Sequence, residues 1–399
     1  MGTYISLGKF DKKYIYILFA LIIINVFTTF YDIFYKKDDY KNSRIMSITL
    51  KHIGFSLCII PETIIKKNSY VKLQSNYNTS LKKIILITTI AIIYLIHDFA
   101  FIFSDRYTIK EIGNDKDKKQ FQLKGNFFYA FMVLFILSKF LFKYNYYKHQ
   151  YISVILIICL GVIRYLAKFI HYNNTTKIIF RDIVVDIIFH VIIYTCLSFY
   201  ISLSKIFMEK YYFSPWKTSL IVGLINLSSN LTLYFIFTFN SCEENIFCSL
   251  KYKDKYYIDN IFSFFSSYTI SGIIIYYFCH LITSIRYILF NVILQNFTVF
   301  HILLSYQIVS FLWNIVGLFN STKDNIYVNI IIVITYLIEL FITFVFLEFF
   351  ELNFCGLNKN LKKNIVERAL QDSMDISNDN AIVEFEVEDE YLVQYNEQN

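Results

Sequence analysis

Proline and glycine are nearly missing, with 2 Pro and 10 Gly among 399 residues. Chains built from turns, linkers or collagen-like repeats need far more of both, so this composition favours long, uninterrupted elements. Both residues are usually more frequent in membrane-spanning helices than in soluble ones, so the few that remain are informative. Charge is also sparse. Charged residues make up 17% of the chain against 56% hydrophobic ones, and the mean hydropathy is +0.46. That is more apolar surface than the interior of one soluble domain absorbs, and the chain needs lipid around it. The seven cysteines contain no C-x-x-C pair and no histidine at ligand spacing, which removes the zinc patterns. No P-loop, G-x-G-x-x-G after a strand, H-E-x-x-H or G-x-S-x-G is present either. The reading is of a protein that is not an enzyme, with no cofactor, no metal and no nucleic acid to bind.

What is present is Ile, Asn, Lys, Tyr and Phe, including 34 Tyr and 42 Phe. A helix needs about 20 mainly apolar residues to cross the hydrocarbon core. Runs of that kind bounded by charge occur about ten times, at roughly 13–34, 45–65, 83–104, 126–144, 149–170, 182–207, 216–239, 259–283, 287–318 and 326–350. The second is interrupted by Lys51, His52 and Pro61, and the ninth is overlong, its span falling in its second half. Lysine and arginine favour the cytosolic side. A cytosolic N-terminus puts the basic stretches Lys9 to Lys13, Lys66 to Lys83, Lys143 to His149, Lys205 to Lys217 and Lys359 to Arg368 there. Glycosylation sequons at Asn173, Asn174 and Asn320 then fall on the opposite side, as they must to be used, while those at Asn78 and Asn296 fall on the cytosolic side or near a helix end. So do Cys242 and Cys248 in the polar loop SCEENIFCSLKYKDKYY, where an oxidising lumen permits a disulfide. Two free thiols are the alternative.

Three regions result: a cytosolic N-terminus over 1–12, a transmembrane domain over 13–355, and a cytosolic tail over 356–399. The tail starts basic and turns acidic. Residues 371–399 hold nine acidic side chains and no Lys or Arg, so the rest of the chain carries +16 of the net +7. A segment of this kind reads as disordered, and EYLVQY within it offers a docking sequence for a cytosolic partner. The first residues, MGTYIS, fit the myristoylation pattern at Gly2 and Ser6.

Ionisable and amide side chains inside the spans are the functional candidates, because burying them in a bilayer costs several kcal/mol unless they face a partner or a wet cavity. They are His97 and Asp98 in the third span, Arg164 and Lys168 in the fifth, Asp186 and His190 in the sixth, Asn226 and Asn230 in the seventh, Asn314 in the ninth and Glu339 in the tenth. Three of these pairs are spaced i, i+4 and share a helix face. His97, Asp98, Arg164 and Lys168 lie near span ends, where side chains reach the interface. The cavity set is therefore Asp186, His190, Asn226, Asn230, Asn314 and Glu339. Gly54 and Gly223 are placed for close helix approach. Ser214 and Pro215 read as an N-cap and first-turn proline starting the seventh span.

The junction MEKYYFSPWKTSLIVGLINL and the exit FLEFFELNFCGLNKNLKKNIVERA resemble the drug/metabolite transporter superfamily, in a protozoan branch akin to nucleotide-sugar and solute carriers. The chain departs from the family at its ninth helix, where LQNFTVFHILLS has no proline. The resemblance implies an all-α polytopic membrane protein of ten helices in two inverted five-helix repeats, halves about 13–175 and 176–355. It implies both termini in the cytosol, a midplane substrate cavity, and secondary transport of a small polar solute by alternating access. The partners expected are the lipid bilayer, the solute, a cytosolic ligand of the tail and a second copy in a homodimer. The alternative function is a non-transporting receptor or scaffold acting through the acidic tail.

Overall fold

A computed structural model describes residues 5–7, 16, 19–27, 45–68, 81–113, 128–144, 146–175, 180–211, 213–243, 248, 250–267, 269–319, 326–348 and 350–352. Gly2, Asn320 and the acidic tail lie outside these residues, as do the side chains of Lys168, Asn173, Asn174 and Asp186.

In hydrocarbon every backbone N–H and C=O has to be satisfied within the chain, which leaves helices for a sequence of long apolar runs. The helices are α1 (19–27), α2 (Ile45–Phe55), α3 (Ile59–Asn68), α4 (Leu81–Gly113), α5 (Phe128–Leu141), α6 (Lys148–Thr175), α7 (Phe180–Tyr211), α8 (Pro215–Phe239), α9 (Ile261–Ser267), α10 (Ile270–Asn296), α11 (Phe300–Phe319) and α12 (Ile326–Phe346). A 3-10 turn at Ser56–Cys58 links α2 to α3 within one span, Ile45–Ile64. Counted that way, eight helices among the described residues are long and apolar enough to cross a bilayer, and α5 is a shorter apolar helix. Their outer faces expose Ile84, Ile85, Ile92 and Ile96 on α4, Leu231, Phe235 and Phe239 on α8, and Tyr327, Ile334 and Leu337 on α12, an apolar surface of the kind lipid covers. The chain is an all-α, multi-pass membrane protein.

The eighth span, expected at 259–283, is corrected: residues 261–267 form the separate short helix α9 and α10 runs on past residue 283 to Asn296, so that the ninth span is α11, in the second half of the overlong run. In the fold, the Thr283 and Ser284 hydroxyls bond carbonyls one turn back, at Cys279 and His280, and Arg286 bonds the Tyr287 hydroxyl.

At the centre α2 lies against α8 and α10, and α4 lies against α7 and α8. Outside them α5 touches α6, α7 and α11, while α12 touches α6 and α11. Two glycines permit the tightest approaches: a side chain at Gly54 would collide with Ser284 of α10, and one at Gly223 with Phe55 of α2. The aromatic core between the helices includes Tyr94, Phe131, Tyr200, Phe207, Phe290, Phe300 and Phe346.

The two ends differ in chemistry. At one end Ser214 caps α8, accepting from the Lys217 amide at 3.0 Å and donating to Glu62 at 2.5 Å, with Pro215 in the first turn. At the same end Lys205 bonds the Leu294 and Phe297 carbonyls that close α10 and pairs with Glu209 at 2.7 Å. At the opposite end Asp259 accepts from the Ile45 amide at 2.9 Å and so caps α2. Beside it stands a three-stranded sheet, order β2 (Ser241–Cys242), β4 (Lys255–Tyr257), β3 (Leu250–Tyr252), with left-handed Lys253 and Asp254 turning the β3–β4 hairpin and a Cys242–Cys248 disulfide closing the loop. Strand β1 (Ile5–Leu7) pairs antiparallel with β5 (Phe350–Leu352), which brings the N-terminal segment beside the exit of α12.

Candidate functional site

A buried ionic group lies where α2, α4 and α10 meet. Asp98 of α4 receives the Lys51 ammonium of α2 at 2.5 Å, His52 Nε2 lies 3.3 Å from the same oxygen, and His97 Nδ1 lies 3.2 Å from the other. The side chains of Lys51, Asp98 and His52 are 7%, 5% and 0% exposed. Helical geometry explains the arrangement. Gly54, one turn beyond Lys51, lets α10 approach so closely that the Ser284 hydroxyl donates to the Lys51 carbonyl at 2.6 Å. The same approach places the Lys51 ammonium over the rings of Tyr94 and Tyr287, 4.6 and 4.9 Å from their centroids. Tyr94 in turn stacks on Tyr200 of α7 at 4.5 Å and meets Tyr287 edge-on at 5.1 Å. The cation thus sits against one carboxylate and two aromatic faces, both of which favour positive charge.

Helix α8 closes the fourth side. Gly223, Asn226, Asn230 and Tyr234 recur every three or four residues and are all buried, so they form one face. Gly223 meets Phe55, and Tyr234 clusters with Ile45, Ile48 and Ile102. The two helices therefore run antiparallel, and Asn226 and Asn230 stand at the level of the Ile48–Phe55 stretch, which contains Lys51 and His52. The Asn226 amide nitrogen and both amide atoms of Asn230 have no hydrogen-bond partner among the described residues, nor do the Tyr94 hydroxyl and His52 Nδ1. Buried polar atoms are ordinarily paired, so hydrogen-bonding capacity is concentrated here beyond what the described residues consume. One turn deeper, Asn291 of α10 donates to Ser219 at 2.7 Å and to Tyr200 at 3.4 Å. No family model and no curated protein matches the chain.

A second group ties α6, α11 and α12 together. Arg164, fully buried, makes a close ion pair with Glu339, whose other oxygen accepts from Gln307 at 3.0 Å, and the Arg164 guanidinium lies 4.2 Å over the Tyr336 ring.

The predicted cavity set is thus distributed. Asn226 and Asn230 lie on the face of α8 that meets α2, at the level of Lys51, and Glu339 belongs to the second group. His190 is buried on α7 beside Tyr194, and Asn314 is half-buried and donates to the Ser310 carbonyl one turn back. Among the described residues no set of three His, Cys, Asp or Glu is disposed to hold a metal. His97, Asp98 and Arg164 do not reach toward the interface as their sequence positions imply; each is buried and paired. Lys51 and His52, which read in sequence as an interruption of the second span, are the partners of Asp98. The signal that points to them is complementarity: one span carries a Lys-His step and another a His-Asp step, each too costly to bury without the other.

Proposed function

We propose that the protein is a secondary transporter of a small polar solute, working by alternating access, in the drug/metabolite transporter superfamily, with ten helices in two inverted five-helix halves. The observation that carries this reading is the buried Lys51–Asp98 group, lined by aromatic rings and unpaired amides and placed among α2, α4, α8 and α10. Charges are retained at such depth where a solute or ion has to be met.

The helix contacts support the inverted halves. With α2, α4, α5 and α6 taken as counterparts of α8, α10, α11 and α12, part of the contact pattern survives exchange of the halves, while α8–α10 and α10–α11 have no comparable α2–α4 or α4–α5 contact among the described residues. The α4–α8 contact becomes α10–α2, α5–α6 becomes α11–α12, and α2–α8, α5–α11 and α6–α12 map onto themselves. Helices α1 and α7 take the remaining places. The α5–α7 contact then corresponds to α11–α1, where Asn25 donates to Ser305 at 3.3 Å. Substrate sites in inverted-repeat carriers lie where the halves meet, as the ionic group does. The Ser56–Cys58 turn beside it gives the α2–α3 span a point at which to bend. Both ends of the chain are assigned to the cytosol, since the Lys-rich links flank the end where Ser214 caps α8, and the disulfide-closed sheet to the opposite side.

Purified full-length protein in proteoliposomes is expected to mediate counterflow of at least one class among amino acids, nucleotide sugars, sugar phosphates and organic cations. Asp98→Asn is expected to raise the solute concentration needed for it. Absence of flux and of ligand-induced thermal stabilisation across that panel overturns the reading.

A further inference from the structure

At the centre one ammonium is paired with one carboxylate, and both are buried. That combination restricts what it can accept. A monovalent cation bound to Asp98 in place of Lys51 leaves the lysine charge uncompensated in a low-dielectric interior, and a monovalent anion bound to Lys51 leaves Asp98 so. Breaking one partner out of a buried pair is far more costly than replacing both at once. A solute carrying both charges a few bonds apart replaces both contacts together.

Resting on the transport reading above, the geometry points to a zwitterion of the α-amino-acid class as the solute. Its ammonium takes the place Lys51 now fills, against Asp98 and the faces of Tyr94 and Tyr287, the set of groups that recognises a ligand cation. Its carboxylate receives the released Lys51 ammonium and hydrogen bonds from the amides of Asn226 and Asn230, whose nitrogens have no partner of their own. His52 and His97, at 3.3 and 3.2 Å from Asp98, hold that carboxylate in place during the exchange. Lys51 is in this sense a tethered occupant of the cation site. When the site is empty, the lysine and the aspartate satisfy each other, and when it is loaded, each is satisfied by the opposite end of the solute. A zwitterion carries no net charge, so the site bears the same charge empty and loaded, and exchange moves no charge across the membrane.

The test uses the full chain in proteoliposomes and two matched trios of probes. One is L-leucine with its amine, isoamylamine, and its carboxylate, 4-methylpentanoate; the other is L-phenylalanine with phenethylamine and 3-phenylpropanoate. L-Leucine and L-phenylalanine are expected to exchange, and the singly charged probes to compete only at concentrations at least about 100-fold higher, the penalty of stranding one buried charge. A potassium diffusion potential is expected to leave the rate unchanged. Lys51→Met is expected to shift competition toward the amines and Asp98→Asn toward the carboxylates. The double variant Lys51→Met/Asp98→Asn strands neither charge, keeps its fold as read by thermal melting, and is expected to lose the preference for zwitterions. Equal competition by amines or carboxylates, or voltage-driven flux of the zwitterions, overturns the inference. Flux of sugar phosphates, nucleotide sugars or cations with the amino acids inert overturns it while leaving transport standing. No flux of any probe overturns both.

Discussion

Lys51 and Asp98 form a pair whose stability effect is separable from the transport role proposed for it. Removing one member of a buried ion pair leaves the other uncompensated, at a cost of about 3–5 kcal/mol, whereas removing both is close to neutral. Lys51→Met and Asp98→Asn are therefore each expected to lower the thermal midpoint in detergent sharply. The double variant should recover most of the loss, and purely additive losses would show that the pair is not coupled. Asn226→Ala and Asn230→Ala should behave differently. Their unpaired amide atoms stabilise nothing among the described residues, so the folded state should be kept within about 1 kcal/mol while flux falls, and unchanged flux would remove α8 from the site. These four residues were unequally visible in the sequence. The asparagines stand in the middle of an apolar run where only a polar role explains them. Lys51 and His52 lower the hydropathy of their own span, and a hydropathy window registers that as weakness of the helix. What the window cannot contain is the partner on α4, forty-seven residues away.

At the scale of elements, helices were legible because apolar runs of spanning length have few alternatives in a bilayer. Their ends were legible where local chemistry sets them. Ser214 and Pro215 mark the start of α8 in sequence, and Ser214 does cap it. Ser214→Ala should cost about 1–2 kcal/mol, from the lost cap and the lost bond to Glu62, measurable as a fall in thermal midpoint. The end of α10 was legible only in part: the run over 287–318 is overlong, its span falls in the second half, and the polar side chains at 283–286 bond within α10 or to α2. The break at Phe297–Val299 follows Gln295 and Asn296 in sequence, and Lys205 of α7 closes it from ninety residues away. Likewise Arg164 and Glu339 are unremarkable singly, one near a span end and one within a span. Joined, they bind α6 to α12. Glu339→Gln removes the carboxylate facing a fully buried guanidinium and should destabilise by about 3–5 kcal/mol, with Arg164→Leu/Glu339→Leu restoring most of it. If Glu339→Gln left the midpoint unchanged while abolishing flux, the residue would belong to the solute path instead of the scaffold.

At the scale of the whole molecule, the sidedness of the chain connects fold to mechanism. Alternating access between inverted halves requires an even number of crossings when each half has five, and hence both ends of the chain on one side. The pairing of Ile5–Leu7 with Phe350–Leu352 agrees with that, as does the separation of the Lys205 and Ser214 end from the disulfide-closed sheet. Epitope tags at the two termini of the protein in sealed vesicles should therefore be cleaved together or protected together by added protease. Cys242 and Cys248 should become reactive to an impermeant maleimide only after reduction, and only in vesicles of the opposite orientation to those in which the tags are cleaved. One tag cleaved with the other protected would give an odd number of crossings, and the inverted-repeat architecture would fall with the alternating-access scheme built on it. Tags that behave alike while the reduced cysteines label from the same side as the tags would keep the crossing number even but displace the sheet. The end capped by Asp259 could then no longer be the mouth opposite the cytosol.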